Sequence, residues 1–462
     1  MEQLTILDAG FLQAEDSDPH VSLAIGAIAV LAGPMPDFAV LTAELAERIT
    51  SVPRFTQVLR THPLDLGAPE WVDDASLDIS HHVRRAAVPR PGDDAALFRW
   101  AADVIEHRLD RDRPLWECWV VDGLAHNRWA ILIKIHHCMA DGVAATQLLT
   151  RLCDGYTEPA ETRRPPRRRL PAVPLNPVDW LTAAWRTSTG LTAATTQALH
   201  GALDIAGGLL RPAAASSLTG PVTDMRRYAT VEVSMHDVEK ICQRFEVTVN
   251  DVALTAITDS FRTMLLRRGE QPRRTSLRTL VPVSVRSGDA AGRADNRVSI
   301  MLPYLPVEKS DVLQQLQAVH ARMTRAKGSG QRQAGSALIA AANAIPFPVT
   351  AWAVRTLGRL PQRGIVTLAT NVPGPRKRMR VLGREVIRLL PIPPLAMRLR
   401  TGVAMLSYAD HLAFGIIGDY DAAPDVDELA TGIERAVSEL AELSTGHWRS
   451  TPAGTLALVQ GG

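Results

Sequence analysis

Two adjacent histidines, followed shortly by an aspartate, form the part of the sequence best suited to chemistry. Residues 131–142 read ILIKIHHCMADG, in which His136 and His137 end an apolar, β-branched run and Asp141 and Gly142 follow. An imidazole that titrates near neutral pH can take a proton from a hydroxyl and return it to a leaving group, as acyl transfer from a thioester to an alcohol requires. Since successive side chains on a strand point to opposite faces, only one of the two histidines can face a given cavity.

The alternatives to a catalytic histidine are a structural pair and a metal site. Adjacent histidines in an arbitrary sequence are more often satisfied by local hydrogen bonds. A metal site needs further ligands, but His81 and His82 lie in a separate segment and no carboxylate-rich motif joins them. The four cysteines show no C-x-x-C spacing, so neither a zinc site nor a disulfide framework is predicted. We therefore expect no metal.

The cysteine beside the histidine pair raises covalent catalysis as a further alternative. Cys138 follows His137 directly, and a Cys–His pair can supply a nucleophile and its base. Strand alternation opposes this mechanism, because Cys138 should face away from the cavity if His137 faces into it. The sequence therefore favours direct transfer, with Cys138 as a packing residue.

The histidine pair is positioned by a predicted hairpin and the helix that follows it. Two β-rich runs, 116–124 and 129–137, are separated by a short connection, as in a hairpin. A helix is predicted at 141–153, directly after the second strand. Before the hairpin, residues 94–109 place apolar side chains at helical spacing, with Asp94 as the expected N-cap.

Length and composition indicate a globular protein of two domains. The chain has 462 residues, of which 46% are hydrophobic and 22% charged, and a single core stops growing beyond about 250 to 300 residues. A formal net charge of +2 argues against a surface that binds nucleic acid throughout. The N-terminus does not resemble a signal peptide, and no apolar run approaches the roughly 18 residues of a membrane span. We expect a cytoplasmic protein, peripheral on the inner face of the membrane or on lipid droplets.

Two α/β units joined by a linker are predicted. Residues 1–157 form the N-terminal unit with the histidines, residues 158–222 form a Pro/Arg-rich linker that ends in an apolar helix, and residues 223–462 form the C-terminal unit. A basic cluster in the linker is a candidate contact for anionic lipid; its members are Arg163, Arg164, Arg167, Arg168 and Arg169. In the C-terminal unit, strands are expected at 228–234, 276–286, 296–306, 364–371 and in the hairpin 402–418, and helices at 236–245, 250–267, 310–327 and 425–443.

Several motifs together resemble one family of acyltransferases. His136, His137, Asp141 and Gly142 form HHxxxDG, the signature of the chloramphenicol-acetyltransferase-like superfamily, which peptide-synthetase condensation domains also carry. The resemblance is narrowed by LDAGFL at 7–12, PLWE at 114–117, NDVA at 250–253, VPVSVR at 281–286, DNRVS at 295–299 and TNVPGP at 370–375. From about residue 4 to 443 the chain resembles the bacterial wax ester synthase/acyl-CoA:diacylglycerol acyltransferases, in particular their triacylglycerol synthase branch.

That resemblance implies a fold and a set of site residues. The implied fold is α/β, with two chloramphenicol-acetyltransferase-like subdomains whose mixed sheets surround a shared substrate channel. His137 is implied to be the proton acceptor, with His136, Asp141 and Gly142 in supporting roles, and Arg286 is the expected partner of Asp141. The residues expected at the substrate channel are Asn250, Asp251, Asn371, Pro373 and Gly374.

Some of these roles have plain structural alternatives. Asp141 could be a first-turn carboxylate that the helix dipole favours. Asn250 and Asp251 could be a helix cap and a first-turn acid, and residues 370–375 could be an ordinary turn after a strand.

The implied function is an acyl-CoA-dependent O-acyltransferase that makes triacylglycerol. The expected partners are long-chain acyl-CoA, diacylglycerol or a fatty alcohol, and a membrane or lipid-droplet surface. Acyl-CoA is a substrate, so no cofactor is expected, and no covalent acyl-enzyme is implied. The alternatives are wax ester synthesis on fatty alcohols, condensation with a carrier protein, and non-catalytic binding at a lipid surface.

Overall fold

The computed structural model describes most of the two α/β units. It covers residues 2–62, 67–140, 142–155, 216–284, 298–328, 347, 364–396 and 398–445. Three expectations from the sequence lie outside these residues: Asp141, Arg286, and the arginine cluster of the linker with its apolar helix.

Helices occupy both halves of the chain. The described α-helices are α1 (Ile6–Ser17), α2 (Phe38–Thr50), α3 (Asp94–Glu106), α4 (Gly142–Arg151), α5 (Met235–Phe245), α6 (Val249–Arg267), α7 (Val312–Gly328) and α8 (Val426–Thr445). None of them is long and apolar enough to cross a membrane.

The strands form two large sheets and one small one. The described strands are β1 (Glu2–Gln3), β2 (Ala24–Ala32), β3 (Gln57–Arg60), β4 (Glu70–Asp73), β5 (Val83–Ala87), β6 (Trp116–Leu124), β7 (Arg128–His136), β8 (Arg226–Ser234), β9 (Thr279–Ser284), β10 (Val298–Met301), β11 (Thr367–Val372), β12 (Arg380–Val381), β13 (Arg384–Ile392), β14 (Thr401–Tyr408) and β15 (His411–Asp419). The first large sheet has the order β12-β13-β2-β7-β6-β5 and the second β10-β9-β11-β14-β15-β8. Both combine parallel and antiparallel pairs, so the sheets are mixed, as expected.

The predicted hairpin forms the centre of the first sheet. Strands β6 and β7 pair antiparallel, with Trp116 opposite Ile135, and β7 pairs on its other side with β2, where Ala24 is opposite His136. The strand ends at His136, and the Met139 N–H donates to the His136 carbonyl at 2.9 Å. His137 therefore lies at the first position past the strand, where the chain begins to turn.

Strand β13 joins the two halves of the molecule. It follows β11 of the second sheet in the chain, yet it pairs antiparallel with β2 of the first sheet, Leu390 opposite Ile28. Where it passes over β15, a Cβ at Gly415 would lie 1.6 Å from the Pro391 carbonyl oxygen. The backbones can therefore approach this closely only because residue 415 is a glycine. The expected C-terminal unit, 223–462, thus supplies strands to both large sheets.

The start of α3 differs from the sequence expectation by one residue. Asp93 is the N-cap, because its carboxylate accepts a hydrogen bond from the Ala96 N–H at 2.8 Å. Asp94 lies in the first helical turn instead and forms ion pairs with Arg388 at 2.5 Å and Arg128 at 3.2 Å. The prediction that Asp94 is the N-cap is therefore wrong. Either of two consecutive aspartates can cap a helix, and the sequence does not determine which one does.

A buried lysine on β7 fixes the other end of α3. Lys134 is 0% exposed, and its ammonium donates to the carbonyls of Val104 at 2.8 Å and His107 at 2.5 Å. Val104 lies in the last turn of α3 and His107 is its C-cap, so their carbonyls have no partner within the helix. Burial lowers the pKa of Lys134 to about 8. Lys134 therefore belongs to the face of the sheet that packs against α3.

The second sheet is covered by α6 and α8. The apolar repeat predicted for the last helix is confirmed, since Val426, Leu429, Ile433, Val437 and Leu440 are all buried. They pack in the core of the second half together with nearly the whole length of α6. One face of the second sheet therefore has a hydrophobic core with these helices, and its other face contributes Val372, Leu406 and Ile417 to the core of the first half.

Candidate functional site

His137 lies in the wall of a cavity, and His136 lies on the opposite side of the chain. Ile133, Ile135 and His137 line the cavity, whereas Lys134 and His136 are buried on the far face. This is the alternation expected of a strand that continues to residue 137. The His137 ring stacks on Phe11 of α1, with centroids 4.2 Å apart and an interplanar angle of 25°.

His136 contacts a buried carboxylate on the far face. Both His136 and Glu15 have side chains that are 1% exposed, and His136 Nε2 lies 3.5 Å from Glu15 Oε2. On the other side of the ring, the Cys138 N–H donates to His136 Nδ1 at 3.1 Å. Because Nδ1 accepts a hydrogen bond, the proton of the neutral ring belongs on Nε2, directed toward Glu15.

Glu15 is ionised despite its burial. Arg111 donates to Glu15 Oε2 at 2.7 Å, and the Leu23 N–H donates to Oε1 at 3.0 Å. Burial by itself raises the pKa of the Glu15 carboxyl, but its contacts with His136, Arg111 and Leu23 outweigh burial and lower the pKa to about 2. A permanent negative charge therefore lies beside His136 at neutral pH.

Cys138 is unsuited to be a nucleophile in this structure. Its side chain is 4% exposed, and burial raises the pKa of the thiol well above its ordinary value. The reactive form of cysteine is the thiolate, which burial disfavours. Cys138 does not line the cavity that contains His137.

The cavity lies between the two large sheets. It is lined by β2, β7 and α4 from the first half and by β9, β11 and β14 from the second, and it is partly open to solvent. Among the described lining residues, the polar side chains are His137, Thr146 and Thr370. The others are largely aliphatic and include Ile133, Ile135, Leu149, Leu368, Val372 and Leu406.

The TNVPGP segment reaches the cavity through residues other than those expected. Thr370 and Val372 line it, whereas Asn371, between them on β11, points to the other face of the strand. Pro373 and Gly374 lie beyond the strand end and are not among the described lining residues. The Gly374 N–H donates to Ser407 Oγ at 3.0 Å, and a Cβ there would lie 2.1 Å from the Ser407 carbonyl oxygen. Gly374 therefore allows the turn to pack against β14.

The Asn250–Asp251 pair lies at the beginning of α6. Thr248 is the N-cap, and Asp251 completes a capping box by accepting the Thr248 N–H at 3.0 Å. Asp251 is 1% exposed and also contacts His320 Nδ1 at 2.9 Å. Neither Asn250 nor Asp251 lines the cavity, so the geometry favours the structural alternative for this motif.

The remaining residues of the HHxxxDG motif are only partly described. Gly142 is the first residue of α4, whose residues Ala145, Thr146 and Leu149 line the cavity. Asp141 and Arg286 lie outside the described residues, so their pairing stays a prediction.

Sequence reasoning did not identify Glu15, Phe11 or the end of β13 as parts of the site. Phe11 belongs to the LDAGFL motif, and Glu15 follows it by four residues on the same helix. That spacing places both side chains on one face, which is the signal that could have paired them. The residues Pro391 to Pro394 line the cavity only because β13 crosses to the first sheet, and no local pattern shows that crossing.

Comparisons with known proteins identify the family. Residues 4–253 match the model described as the wax ester synthase/diacylglycerol acyltransferase catalytic domain. Residues 294–441 match the model of the C-terminal domain of the same family.

Relatives in Mycobacterium tuberculosis match over almost the whole chain. One, named probable diacylglycerol O-acyltransferase tgs1, is 54% identical over 473 residues, covering 99% of this chain and 100% of the relative. A second, named putative diacylglycerol O-acyltransferase, is 46% identical over 444 residues, covering 96% of this chain and 92% of the relative.

Solved structures share the fold. The wax ester synthase/diacylglycerol acyltransferase from Marinobacter aquaeolei VT8 matches with a TM-score of 0.69 and 24% identity, covering 96% of this chain and 100% of that one. The first condensation domain of the CDA synthetase matches with a TM-score of 0.62 and 16% identity, covering 96% of both chains. The predicted chloramphenicol-acetyltransferase-like fold is thereby confirmed. With two matching family models and a relative at 54% identity over nearly its full length, the chain belongs to the wax ester synthase/diacylglycerol acyltransferase family.

Proposed function

We propose that the chain transfers the acyl group of a long-chain acyl-CoA directly to the hydroxyl of diacylglycerol, with His137 as the general base. The chain is a diacylglycerol O-acyltransferase by its family and by its relatives. The observation that supports the mechanism is the position of His137, which lies in the wall of a mostly aliphatic cavity built by both halves. Such a wall suits the hydrocarbon chains of both substrates.

The proposed reaction needs one group that can hold a proton. The His137 imidazole removes the proton of the acceptor hydroxyl as its oxygen attacks the thioester carbonyl. When the tetrahedral intermediate collapses, the carbon–sulfur bond breaks and the imidazolium returns the proton to the coenzyme A thiolate. The products are an ester and free coenzyme A, and the imidazole is neutral again. Acyl-CoA is consumed as a substrate, and the proposed steps involve no cofactor.

The main rival is a covalent intermediate on Cys138. The burial of Cys138, the raised pKa of its thiol and its absence from the described cavity wall all support direct transfer. A direct mechanism also requires both substrates to be bound together, which suits a cavity between two halves.

The test compares His137→Ala with Cys138→Ala in purified protein. We expect His137→Ala to lower the rate by roughly 10² to 10⁴, the usual contribution of a general base, and Cys138→Ala to stay within a few-fold of wild type. Rates are measured with palmitoyl-CoA and either dioleoylglycerol or hexadecanol, so that triacylglycerol and wax ester synthesis are compared directly. Acyl label trapped on Cys138 in the absence of acceptor, or a folded Cys138→Ala protein without turnover, would contradict direct transfer.

We also propose that the protein works at a lipid surface that it contacts peripherally. Diacylglycerol is dissolved in membranes and lipid droplets, so the acceptor must be collected from one of them. The five clustered arginines of the linker, Arg163 to Arg169, supply charge that attracts anionic headgroups. This cluster supports the proposal at the level of the sequence.

A further inference from the structure

The backbone on both sides of His137 is connected to one buried carboxylate. On one side, Glu15 Oε1 accepts the Leu23 N–H at 3.0 Å, and the Leu23 carbonyl accepts the His137 N–H at 3.0 Å. On the other side, Glu15 Oε2 lies 3.5 Å from His136 Nε2. His136 Nδ1 in turn accepts the Cys138 N–H at 3.1 Å. Both amides that flank the His137 side chain are thus held by groups that Glu15 contacts.

The same helix also contacts the His137 ring. Phe11 stacks on the imidazole with centroids 4.2 Å apart. Phe11 and Glu15 are four residues apart on α1, so their side chains project from one face of the helix. Helix α1 therefore contacts the His137 ring directly through Phe11, and it acts on the His137 backbone indirectly, through the contacts of Glu15 with Leu23 and His136.

Arg111 holds the Glu15 carboxylate in place. Arg111 bonds Glu15 Oε2 and, through its other nitrogen, Asp16 Oδ1, both at 2.7 Å. Glu15 is 1% exposed, whereas Asp16 is 50% exposed. A buried carboxylate with this many directed contacts has little freedom to move.

We propose that Glu15 is a positioning residue for acyl transfer: acting through Leu23 and His136, it fixes the place of the His137 imidazole at the cavity wall. This inference rests on His137 as the general base. Glu15 is not among the described residues that line the cavity. It acts on the rate because a general base must be within hydrogen-bond reach of the proton that it removes.

The experiment measures steady-state kinetics of Glu15→Gln with palmitoyl-CoA and dioleoylglycerol. The amide that replaces the carboxylate can still accept from the Leu23 N–H, but its NH₂ group would face both His136 Nε2 and the Arg111 guanidinium, so the negative charge beside these two groups is lost. A displacement of about 1 Å can cost on the order of 10²-fold in rate, so we expect kcat to fall by roughly 10- to 100-fold. The KM for each substrate should stay within about two-fold, because the aliphatic lining residues that suit the hydrocarbon chains are not substituted.

Asp16→Asn provides the matched control. It changes the neighbouring residue of the same helix and removes the other carboxylate of Arg111, but Asp16 contacts neither Leu23 nor His136 in the described structure. We expect its kcat and KM to equal those of wild type. Equal losses of kcat in Asp16→Asn and Glu15→Gln would overturn the proposal, because the effect would then belong to the surface ion pair.

A second variant covers the case in which Glu15→Gln fails to fold. Glu15→Asp keeps the negative charge beside Arg111 but withdraws it by one methylene, so the fold is retained while the contacts to Leu23 and His136 lengthen. We expect reduced kcat in a protein that is folded but melts below wild type, because the contacts that lower the pKa of Glu15 also stabilise the fold. A folded Glu15→Gln or Glu15→Asp protein with wild-type kcat, or with a raised KM alone, would refute the positioning role.

His137→Ala in the same assay tests the mechanism separately. If this variant stays active, the assignment of His137 as the general base fails.

Discussion

At the scale of single residues, the low pKa of Glu15 predicts a specific loss of stability in acid. Contacts in the folded protein lower this pKa from its ordinary 4.5 to about 2. The ionised carboxylate therefore stabilises the fold fully above pH 4.5, and this contribution is lost as the pH falls from 4.5 towards 2. At about 1.4 kcal/mol per pKa unit, this shift corresponds to a contribution to the free energy of unfolding on the order of 3 kcal/mol.

We expect the free energy of unfolding of wild type to exceed that of Glu15→Gln near neutral pH, with the difference shrinking as the pH falls through this window. Denaturant titrations of both proteins at several pH values measure it. A difference that is constant from neutral pH to pH 3 would show that the Glu15 charge contributes no stability.

Strand alternation is the residue-scale feature that could be predicted from the sequence. It separates Lys134 and His136 from Ile133, Ile135 and His137, and the structure places the two sets on opposite faces. The same alternation places Thr370 and Val372, but not Asn371, in the cavity wall. The family motif contains all three residues and so does not distinguish them, whereas the period of the strand does.

Glu15 could not be found in this way. Its partners Leu23, Arg111 and His136 come from three separate segments, and they meet only when α1 packs against the end of β7. A carboxylate on an amphipathic helix is usually a solvated residue. Only tertiary packing distinguishes it from Asp16, its exposed neighbour.

At the scale of elements, β13 determines the shape of the site. The hairpin of β14 and β15 is predictable because its strands are adjacent in the sequence, and the structure has it close to the expected bounds. β13 pairs instead with β2, which belongs to the other half of the chain. Sequence patterns report local periodicity, so they give no information about which sheet a lone strand joins.

The crossing of β13 over β15 can be tested with Gly415→Ala. A Cβ at this position would lie 1.6 Å from the Pro391 carbonyl oxygen, so β13 must shift. The same shift would disturb the hydrogen bond that Tyr228 donates to the Pro391 carbonyl at 2.9 Å. We expect the free energy of unfolding to fall by about 1 to 3 kcal/mol and activity to fall as well, because Pro391 lines the cavity.

Gly402→Ala is the control for this crossing. Gly402 also faces the crossing segment, but its Cβ would lie 3.2 Å from the Pro394 carbonyl oxygen, which a small adjustment accommodates. Thermal unfolding and turnover of both variants measure whether the crossing of β13 over β15 requires a glycine at position 415. Equal stability of Gly415→Ala and wild type would show that the crossing is looser than the structure indicates.

At the scale of the whole molecule, ion pairs support the connection that β13 makes. Arg388 on β13 contacts Asp94 at the start of α3 and Glu232 on β8, one from each half. Arg226 of β8 donates to the His20 carbonyl at 2.5 Å, which links the second half to the segment after α1. The motifs predicted two similar subdomains, and in the described residues β12 and β13 of the second half join the sheet of the first half.

The whole molecule must also reach its lipid acceptor, and this leads to a prediction about surface charge. Replacing the five arginines of the linker cluster by glutamine should weaken association with vesicles that contain anionic lipid by about 1 kcal/mol for each arginine near the surface. Association should also become less sensitive to salt, because fewer charges are screened. Co-sedimentation with phosphatidylserine-containing and pure phosphatidylcholine vesicles, at low and high salt, measures both effects.

A control protein carries the same change of charge at five exposed arginines distributed over the described surface: Arg60, Arg90, Arg273, Arg274 and Arg325. Unchanged binding of the cluster variant, or an equal loss in the control, would show that the cluster is not the lipid contact.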